Sequence, residues 1–315
     1  MGDLAAEFEA ERDHLIAVAY RMLGSRTEAE DAVQEAWLRY SDALADPAAR
    51  AEVRDLRGWL TTTVARICLD VLRSARVRRE AYPGQWLPEP LVERAPSSQP
   101  DPSDVATRHD EVSMALLVVL ERLTPEQRVA FVLHDVFAVP FEVIADVLGI
   151  SVASARQHAS RARKAVAEGG PRHTADLAEQ RRVLAAFTAA VESGEIDKLL
   201  AVLAPDVVMV GDSGGVFPTA GRPLHGPVEV GRLVLGLVRT LGRDTRSMRT
   251  AMVLINGALG FQMEGAYKDG RPMRTVMSIA IADGRVTAVY NQLNPAKVAA
   301  APPLPAEAGP WPPLA

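Results

Sequence analysis

Two stretches that no helix can cross divide this chain. Between Tyr82 and Asp104 the sequence YPGQWLPEPLVERAPSSQPDPSD is dense in Pro, Ser and Gly. Proline removes a backbone donor and clashes with the preceding turn, so a helix ends there. With little apolar content for a core of its own, the segment reads as a Pro-rich linker over residues 81–106. Further on, EGGPRHT stops a second helical run. The 315 residues are thereby cut into units that are each long enough to bury a core.

In residues 1–80 and 107–170 apolar side chains recur at three- and four-residue spacing, the pattern of amphipathic helices. In the first of these units GSRTEAED and DPAARAEVRD mark breaks, and Thr27 with Glu28 and Glu30 predicts a helix start, acids lying near the positive end of the helix dipole. In the second, LERLTPEQRVAFVLHDVF places Thr124 as N-cap and Pro125 at the first helical position. Residues 171–300 change character. One amphipathic helix over Ala175–Ser193 precedes the β-prone runs DVVMV, TAMVLING, ALGFQMEG, TVMSIAIADG and VTAVYNQL, which predict a curved antiparallel sheet. The expected fold is therefore multidomain: two all-α domains, then an α+β domain. Residues 301–315, rich in Pro and Ala, are expected to be a disordered tail.

Composition narrows the function. A single cysteine, Cys68, rules out an intramolecular disulfide framework and a thiolate zinc site. The N-terminal MGDLAAEFEAERDHL lacks the basic start and apolar core of an export signal, and no run approaches the ~18 apolar residues that span a bilayer. A cytoplasmic protein with no membrane partner is expected. The formal charge of -5 makes one segment stand out. In FEVIADVLGISVASARQHASRARKAV, the second half gathers Arg156, His158, Arg161, Arg163 and Lys164 with no acid.

That segment is a helix-turn-helix pattern. Val143, Ile144, Val147 and Leu148 give the first helix an apolar face, Gly149 permits the sharp turn, and Ser151 caps the second helix. Ala155, Ala159 and Ala162 face inward, leaving Arg156, Gln157, His158, Ser160, Arg161 and Arg163 outward. Such a helix fits the major groove, where Arg pairs with guanine and Gln with adenine.

Two long stretches carry a resemblance. AYRMLGSRTEAEDAVQEAWLRYSDAL, continued by GWLTTTVARICLDVLRSARVRR, resembles region 2 of the extracytoplasmic function (ECF) sigma factors, the promoter-recognition subunits of bacterial RNA polymerase. LERLTPEQRVAFVLHDVFAVPFEVIADVLGISVASARQHASRARKAV resembles region 4 of the same class. The resemblance implies a sigma factor that binds core polymerase through its clamp and flap and directs initiation on promoter DNA. It implies polymerase contacts at Asp31, Gln34, Glu35 and Trp37. Recognition and melting of the -10 element would fall to Trp59, Thr61, Thr62, Arg66, Arg73 and Arg76, with Arg78 and Arg79 beside them. Many factors of this class carry Asn where this chain has Ile67. The -35 element would be read by Ser154, Arg156, Gln157, His158, Arg161 and Arg163, with Lys164 on phosphate.

FTAAVESGEIDKLLAVLAPDVVMVGDSGG, followed by RPLHGPVEVGRLV, resembles a SnoaL-like domain of the NTF2-like fold, a cone-shaped half-barrel. RREAYPGQWLPEPL resembles the linker of the ECF group that carries such a domain at its C-terminus. Two motifs of that group have altered counterparts here: Asp212-Ser213-Gly214-Gly215, followed by Val216 instead of Lys, and Asn294-Pro295-Ala296-Lys297-Val298. The resemblance places regulatory interdomain contacts on Asp212, Gly214, Gly215, Asn294 and Pro295. Two other readings stand beside this one, a one-component helix-turn-helix regulator with a ligand-sensing half-barrel and a SnoaL-type enzyme. For the latter, Asp206, Asp212, His225, Glu264, Tyr267 and Tyr290 are the titrating groups, but their spacing forms no catalytic set. No catalytic residue, cofactor or metal is expected; a small-molecule ligand of the half-barrel is left open, and the free chain is expected to be a monomer.

Overall fold

The structure is a computed structural model that describes residues 2–80, 82–95, 112–170 and 173–310. They belong to two units, one formed by Met1–Ala81 with Val119–Gly169 and the other by Tyr82–Val118 with Gly170–Ala315. The first unit is helical: α1 (Gly2–Leu23), α2 (Arg26–Ala43), α3 (Pro47–Glu52), α4 (Leu56–Glu80), the end of α5 (Met114–Leu120), α6 (Pro125–Phe131), α7 (Phe141–Leu148) and α8 (Val152–Gly169). Side-chain caps set several of these starts. Ser25 accepts from the Glu28 amide and Asp46 from Ala48, while Thr124 and Gln127 form a reciprocal capping box ahead of Pro125. The helix expected to start at Thr27 thus begins one residue earlier, at Arg26, because the Ser25 hydroxyl takes the cap. A single π-helical turn, Val132–Val136, follows α6. Leu15, Val18, Met22, Tyr40, Leu60, Val64, Cys68, Leu133 and Ile144 are buried in this unit.

The second unit is α+β. Its elements are β1 (Val92–Arg94), α9 (Leu177–Ser193), α10 (Ile196–Val202), β2 (Leu203–Asp212), β3 (Leu224–His225), α11 (Pro227–Asp244), β4 (Thr245–Ile255), β5 (Ala258–Tyr267), β6 (Pro272–Ala282), β7 (Arg285–Gln292), α12 (Pro295–Val298) and β8 (Gly309–Pro310). The sheet runs β1-β4-β5-β6-β7-β2-β3, with β8 also on β4. It is open, not closed. Only the β2–β7 pair is parallel. Two Asx-Gly turns fix the hairpin registers: Asn256-Gly257 between β4 and β5, and Asp283-Gly284 between β6 and β7, with φ of 50, 75, 53 and 69°. Positive φ at both central residues matches the twist of the strands they join.

Three expectations need correction here. The supposed linker contributes β1, which pairs antiparallel with β4, and Leu87 is buried in the unit's second core cluster with Tyr290 and Val298. Its prolines leave extended backbone free to dock on a sheet edge, which the composition argument overlooked. The expected tail is also built in over residues 301–310, residues 311–315 lying outside the described ones: Arg249 donates to the carbonyls of Pro305 and Ala306, Gln262 donates to that of Pro302, and Gly309 and Pro310 pair with β4. Lastly, the one amphipathic helix expected ahead of the strands is joined by a second among them, α11 (Pro227–Asp244), in a stretch read only for its resemblance; its apolar stripe, Val230, Val234, Leu235 and Val238, is buried.

Gln180 staples α9 to the sheet. Its buried amide donates to the Ala175 carbonyl at 2.8 Å and accepts from the Leu259 amide at 2.7 Å. Leaving two buried backbone groups unpaired costs about 1–3 kcal/mol each. Gln180→Leu is therefore expected to lower the stability of this unit by about 2–4 kcal/mol, seen as lost hydrogen-exchange protection at the Leu259 amide; unchanged protection would refute the assignment.

Candidate functional site

The helix expected to read the -35 element is α8. Gly149 closes α7 with φ 68°, and the Ser151 hydroxyl accepts from the Ser154 amide at 3.2 Å, so the turn and the start of α8 are fixed locally. Ala155, Ala159 and Ala162 are fully buried, while Arg156, Gln157, Arg161, Arg163 and Lys164 are exposed. His158 departs from expectation. It is half-buried, with a buried Nδ1 that has no hydrogen-bond partner among the described residues, so it is a poor outward contact. Ser154 is half-buried and its hydroxyl is bonded to that of Ser151. Arg156 lies over the Phe141 ring and 3.6 Å from Glu142, and Arg163 donates to Asp135 at 2.5 Å.

The residues expected to meet the -10 element are on α4, where two arginines are already engaged. Arg66 donates to Asp146 of α7 at 2.6 Å, and Arg73 to Glu126 of α6 at 3.2 Å. Burial raises the Glu126 carboxyl, but a backbone hydrogen bond, the Arg73 guanidinium and nearby His158 bring it below its ordinary value. Around these pairs Phe137 packs edge-on against His14 and under Arg21. The two sequence regions thus close on each other within one unit.

Thr61 is buried and bonded to His14 at 3.1 Å, so it is withdrawn from the surface; Thr62 spends its hydroxyl on the Gly58 carbonyl. Trp59 is half-buried against Tyr40, and Ile67 belongs to the core. The side chains of Arg76, Arg78 and Arg79 lie outside the described residues. Cys68 is also buried, which raises its thiol well above the ordinary range and makes it inert. Beside it Arg128, 2 % exposed, pairs with Glu121 at 2.6 Å.

On α2, Asp31, Gln34 and Leu38 are exposed and Glu35, half-buried, is ion-paired with Arg39 at 3.0 Å. These residues share a face by their three- and four-residue spacing. Trp37 points elsewhere, packing on Phe8 and Tyr40.

In the second unit the two altered motifs come together around one carboxylate. Asp212, at 0 % exposure, accepts from the Tyr82 hydroxyl at 2.6 Å, the Leu87 amide at 2.9 Å, the Gly214 amide at 3.0 Å, Gln292 Nε2 at 3.3 Å and Lys297 Nζ at 2.6 Å. Asn294 Nδ2 donates to the Tyr82 oxygen at 2.7 Å, and its own Oδ1 caps α12 through the Ala296 amide. Pro295 occupies the first position of that helix. Gly214 and Gly215 adopt φ of 59 and 78°; a Cβ on Gly214 would meet Asn294 at 2.8 Å. Lys297 additionally donates to the Leu87 carbonyl and lies over the Trp86 ring at 4.0 Å. What these residues hold is the stretch Tyr82–Pro88.

Tyr82, Trp86, Leu87, Gln292 and Lys297 complete this cluster and were not among the contact residues expected from the sequence, although Lys297 lies in the second motif. The signal was present: aromatic and apolar residues in YPGQWLPEPL are out of place in a solvated linker. Among the candidate titrating groups for an enzyme, Asp212 and Tyr290 lie on this side of the sheet and belong to the clamp or its core. Among the described residues no group of three or more His, Cys, Asp or Glu is placed to hold a metal ion.

Breaking a buried ion pair by removing one partner costs about 3–5 kcal/mol, so Asp212→Ala is expected to release Tyr82–Pro88, read as a changed Trp86 emission and new proteolytic cleavage there. Burial, then the bond to Asp212, raises the Tyr82 hydroxyl above its ordinary value. Its contribution is therefore complete below pH about 10 and lost as pH rises through the higher folded value. The stability difference between the full chain and Tyr82→Phe should be flat at neutral pH and shrink above pH about 10; a difference that grows with pH would contradict the clamp geometry.

Comparison with known proteins agrees with this geometry. Residues 8–78 match the family model for sigma-70 region 2, and residues 113–166 that for sigma-70 region 4. The chain is 44% identical over 306 residues to the ECF RNA polymerase sigma factor SigJ of Mycobacterium tuberculosis, covering 94% of each chain. It is 33% identical over 310 residues to a probable ECF RNA polymerase sigma factor, SigI, of the same organism, covering 97% of each. The crystal structure of Mycobacterium tuberculosis SigJ superimposes with a TM-score of 0.73 at 40% identity, covering 95% of this chain and 99% of that one. With both sigma regions matched in order and the likeness running the length of the chain, this protein belongs to the ECF RNA polymerase sigma factors.

Proposed function

We propose that the free protein is a cytoplasmic monomer held in a closed, promoter-incompetent form, which opens on core RNA polymerase to direct initiation. The exposed face of α2, with Asp31, Gln34 and Glu35, docks on the polymerase clamp, and the helix-turn-helix unit reaches the flap. Arg156, Gln157 and Arg161 read the -35 element, with Arg163 and Lys164 on phosphates. Arg66 and Arg73 meet the strands of the -10 element once released. The observation that carries this reading is the pairing of Arg66 with Asp146 and of Arg73 with Glu126. The same cations cannot serve region 4 carboxylates and DNA phosphates at once.

The second unit, read as a SnoaL-like half-barrel, controls that opening through the chain itself. Between α4 and α6 the chain runs through Tyr82–Val118, which belongs to the second unit. How far the two sigma regions can separate thus depends on how much of this stretch the clamp retains. Residues 81–106 act as a tether whose first part is held and not as a free linker.

Both ion pairs are half-exposed, where such a pair contributes about 0.2–1 kcal/mol. Their joint loss in Asp146→Asn with Glu126→Gln is expected to raise promoter-specific initiation about two- to fivefold at limiting protein, measured by transcription in vitro with core polymerase. Arg156→Ala or Arg161→Ala should cost about 1–3 kcal/mol of promoter discrimination with core binding preserved. Unchanged promoter selectivity in both would remove α8 from the reading of DNA. Operator binding that never requires polymerase would favour the one-component regulator instead.

A further inference from the structure

A cavity of about 440 Å³ opens into the second unit between the sheet and helices α9 and α11, on the face opposite the Asp212 clamp. Its wall is apolar, with Phe187, Val191, Val234, Leu237 and Val238 from the helices. Across from them, Met209, Met263, Met273 and Met277 project from three strands of the sheet, β2, β5 and β6. Thioether side chains are polarisable and unbranched, so this wall adapts to the outline of a flat guest. Near the mouth Tyr267 stacks on Phe217 with ring centroids 5.8 Å apart.

Four charged residues line the opening, Asp244, Lys268, Asp269 and Arg271, two of each sign, and exposed Lys268 helps hold the Asp244 carboxyl below its ordinary value, after the Arg243 bond. Arg271 pairs with Asp269 at 2.7 Å and Arg243 with Asp244 at 2.8 Å, and all four side chains are well exposed. The lining as a whole thus carries no net charge to favour a charged guest. Inside, one polar group stands out. Asn291 of β7, 6 % exposed, lines the cavity, and its Oδ1 accepts from the Thr275 hydroxyl at 2.8 Å. That bond fixes the amide, and among the described residues its Nδ2 has no protein partner. The donor is not sealed inside the protein but opens to the cavity, where a ligand or water can meet it.

The geometry points to a ligand site here for a neutral, flat, ring-bearing organic molecule with one acceptor oxygen, of the ketone or ether kind, received by Asn291 Nδ2. The volume suits a molecule of two fused rings, being within the range of about 300–1,000 Å³ found for small-molecule pockets. The match is of shape and a single hydrogen bond, so binding does not require a reactive group in the wall. The inference concerns the free protein and stands apart from the sigma function.

The probe is 6-propionyl-2-dimethylaminonaphthalene, a neutral naphthalene ketone whose emission shifts to the blue in apolar surroundings, titrated into the full chain without polymerase or DNA. Saturable binding with a blue shift is expected, weakened about five- to tenfold by Asn291→Leu and abolished by Leu237→Trp, which fills the cavity from the α11 side. The same naphthalene lacking the propionyl group should bind wild type and Asn291→Leu alike. Asn291→Asp keeps the acceptor for Thr275 and removes the donor; it tests the same point should Asn291→Leu misfold, with the same loss expected. No saturable binding, or binding indifferent to Leu237→Trp, overturns the site. Loss in Leu237→Trp with no effect of either Asn291 variant overturns the assigned acceptor chemistry. Neither failure bears on transcription by the chain.

Discussion

A carboxylate sealed from water at the end of β2 organises the second unit. Burying an ionised carboxylate without partners costs far more than a domain's net stability, so the surrounding structure must supply them. Around Asp212 it does so with one ammonium, one hydroxyl, two backbone amides and one side-chain amide, drawn from five places in the sequence. The five donors fix four segments: Tyr82 and Leu87 the extended stretch, Gly214 the turn after β2, Gln292 the end of β7 and Lys297 the last short helix. The alignment of these segments follows from satisfying one charge.

The period of a β-strand places two sites back to back. On β7, Asn291 faces the cavity while Gln292, the next residue, faces the clamp; on β2, paired in register, Gly211 and Asp212 divide in the same way. Gly211 has no side chain because Thr219 crosses there, its Oγ1 lying 2.1 Å from where a Cβ would stand. Cavity and clamp are therefore separated by a single layer of backbone.

Much of this was legible in the residues. Helix caps such as Thr124, the Gly149 turn, the alanine face of α8 and the five β-prone runs are local patterns, and the structure follows them. What failed was non-local. Proline density reported correctly that Tyr82–Asp104 is not helical, but it does not reveal that extended backbone can be a sheet edge strand, and the tail was misread for the same reason. Thr61 and Trp37 were chosen by position in a resembling motif; burial against His14 and Phe8 depends on helix packing that no spacing rule specifies. The pairing of Arg66 with Asp146 joins residues far apart in sequence, and nothing in either local window announces it.

The two closures in this chain differ in strength for a physical reason. The Arg66–Asp146 and Arg73–Glu126 pairs are largely solvated, so salt screens them and water competes for each partner; such contacts contribute at most about 1 kcal/mol apiece. The Asp212–Lys297 pair has side-chain exposures of 0 and 14 % and shares its carboxylate with four further donors, so removing one member costs several kcal/mol. A polyanion that offers phosphates to Arg66 and Arg73 competes directly with the first closure, and at no cost in buried charge. It offers nothing to Asp212, which is itself an anion. On the function proposed above, nucleic acid would act on the first closure alone, and release of the stretch Tyr82–Pro88 would require an input of a different chemical kind.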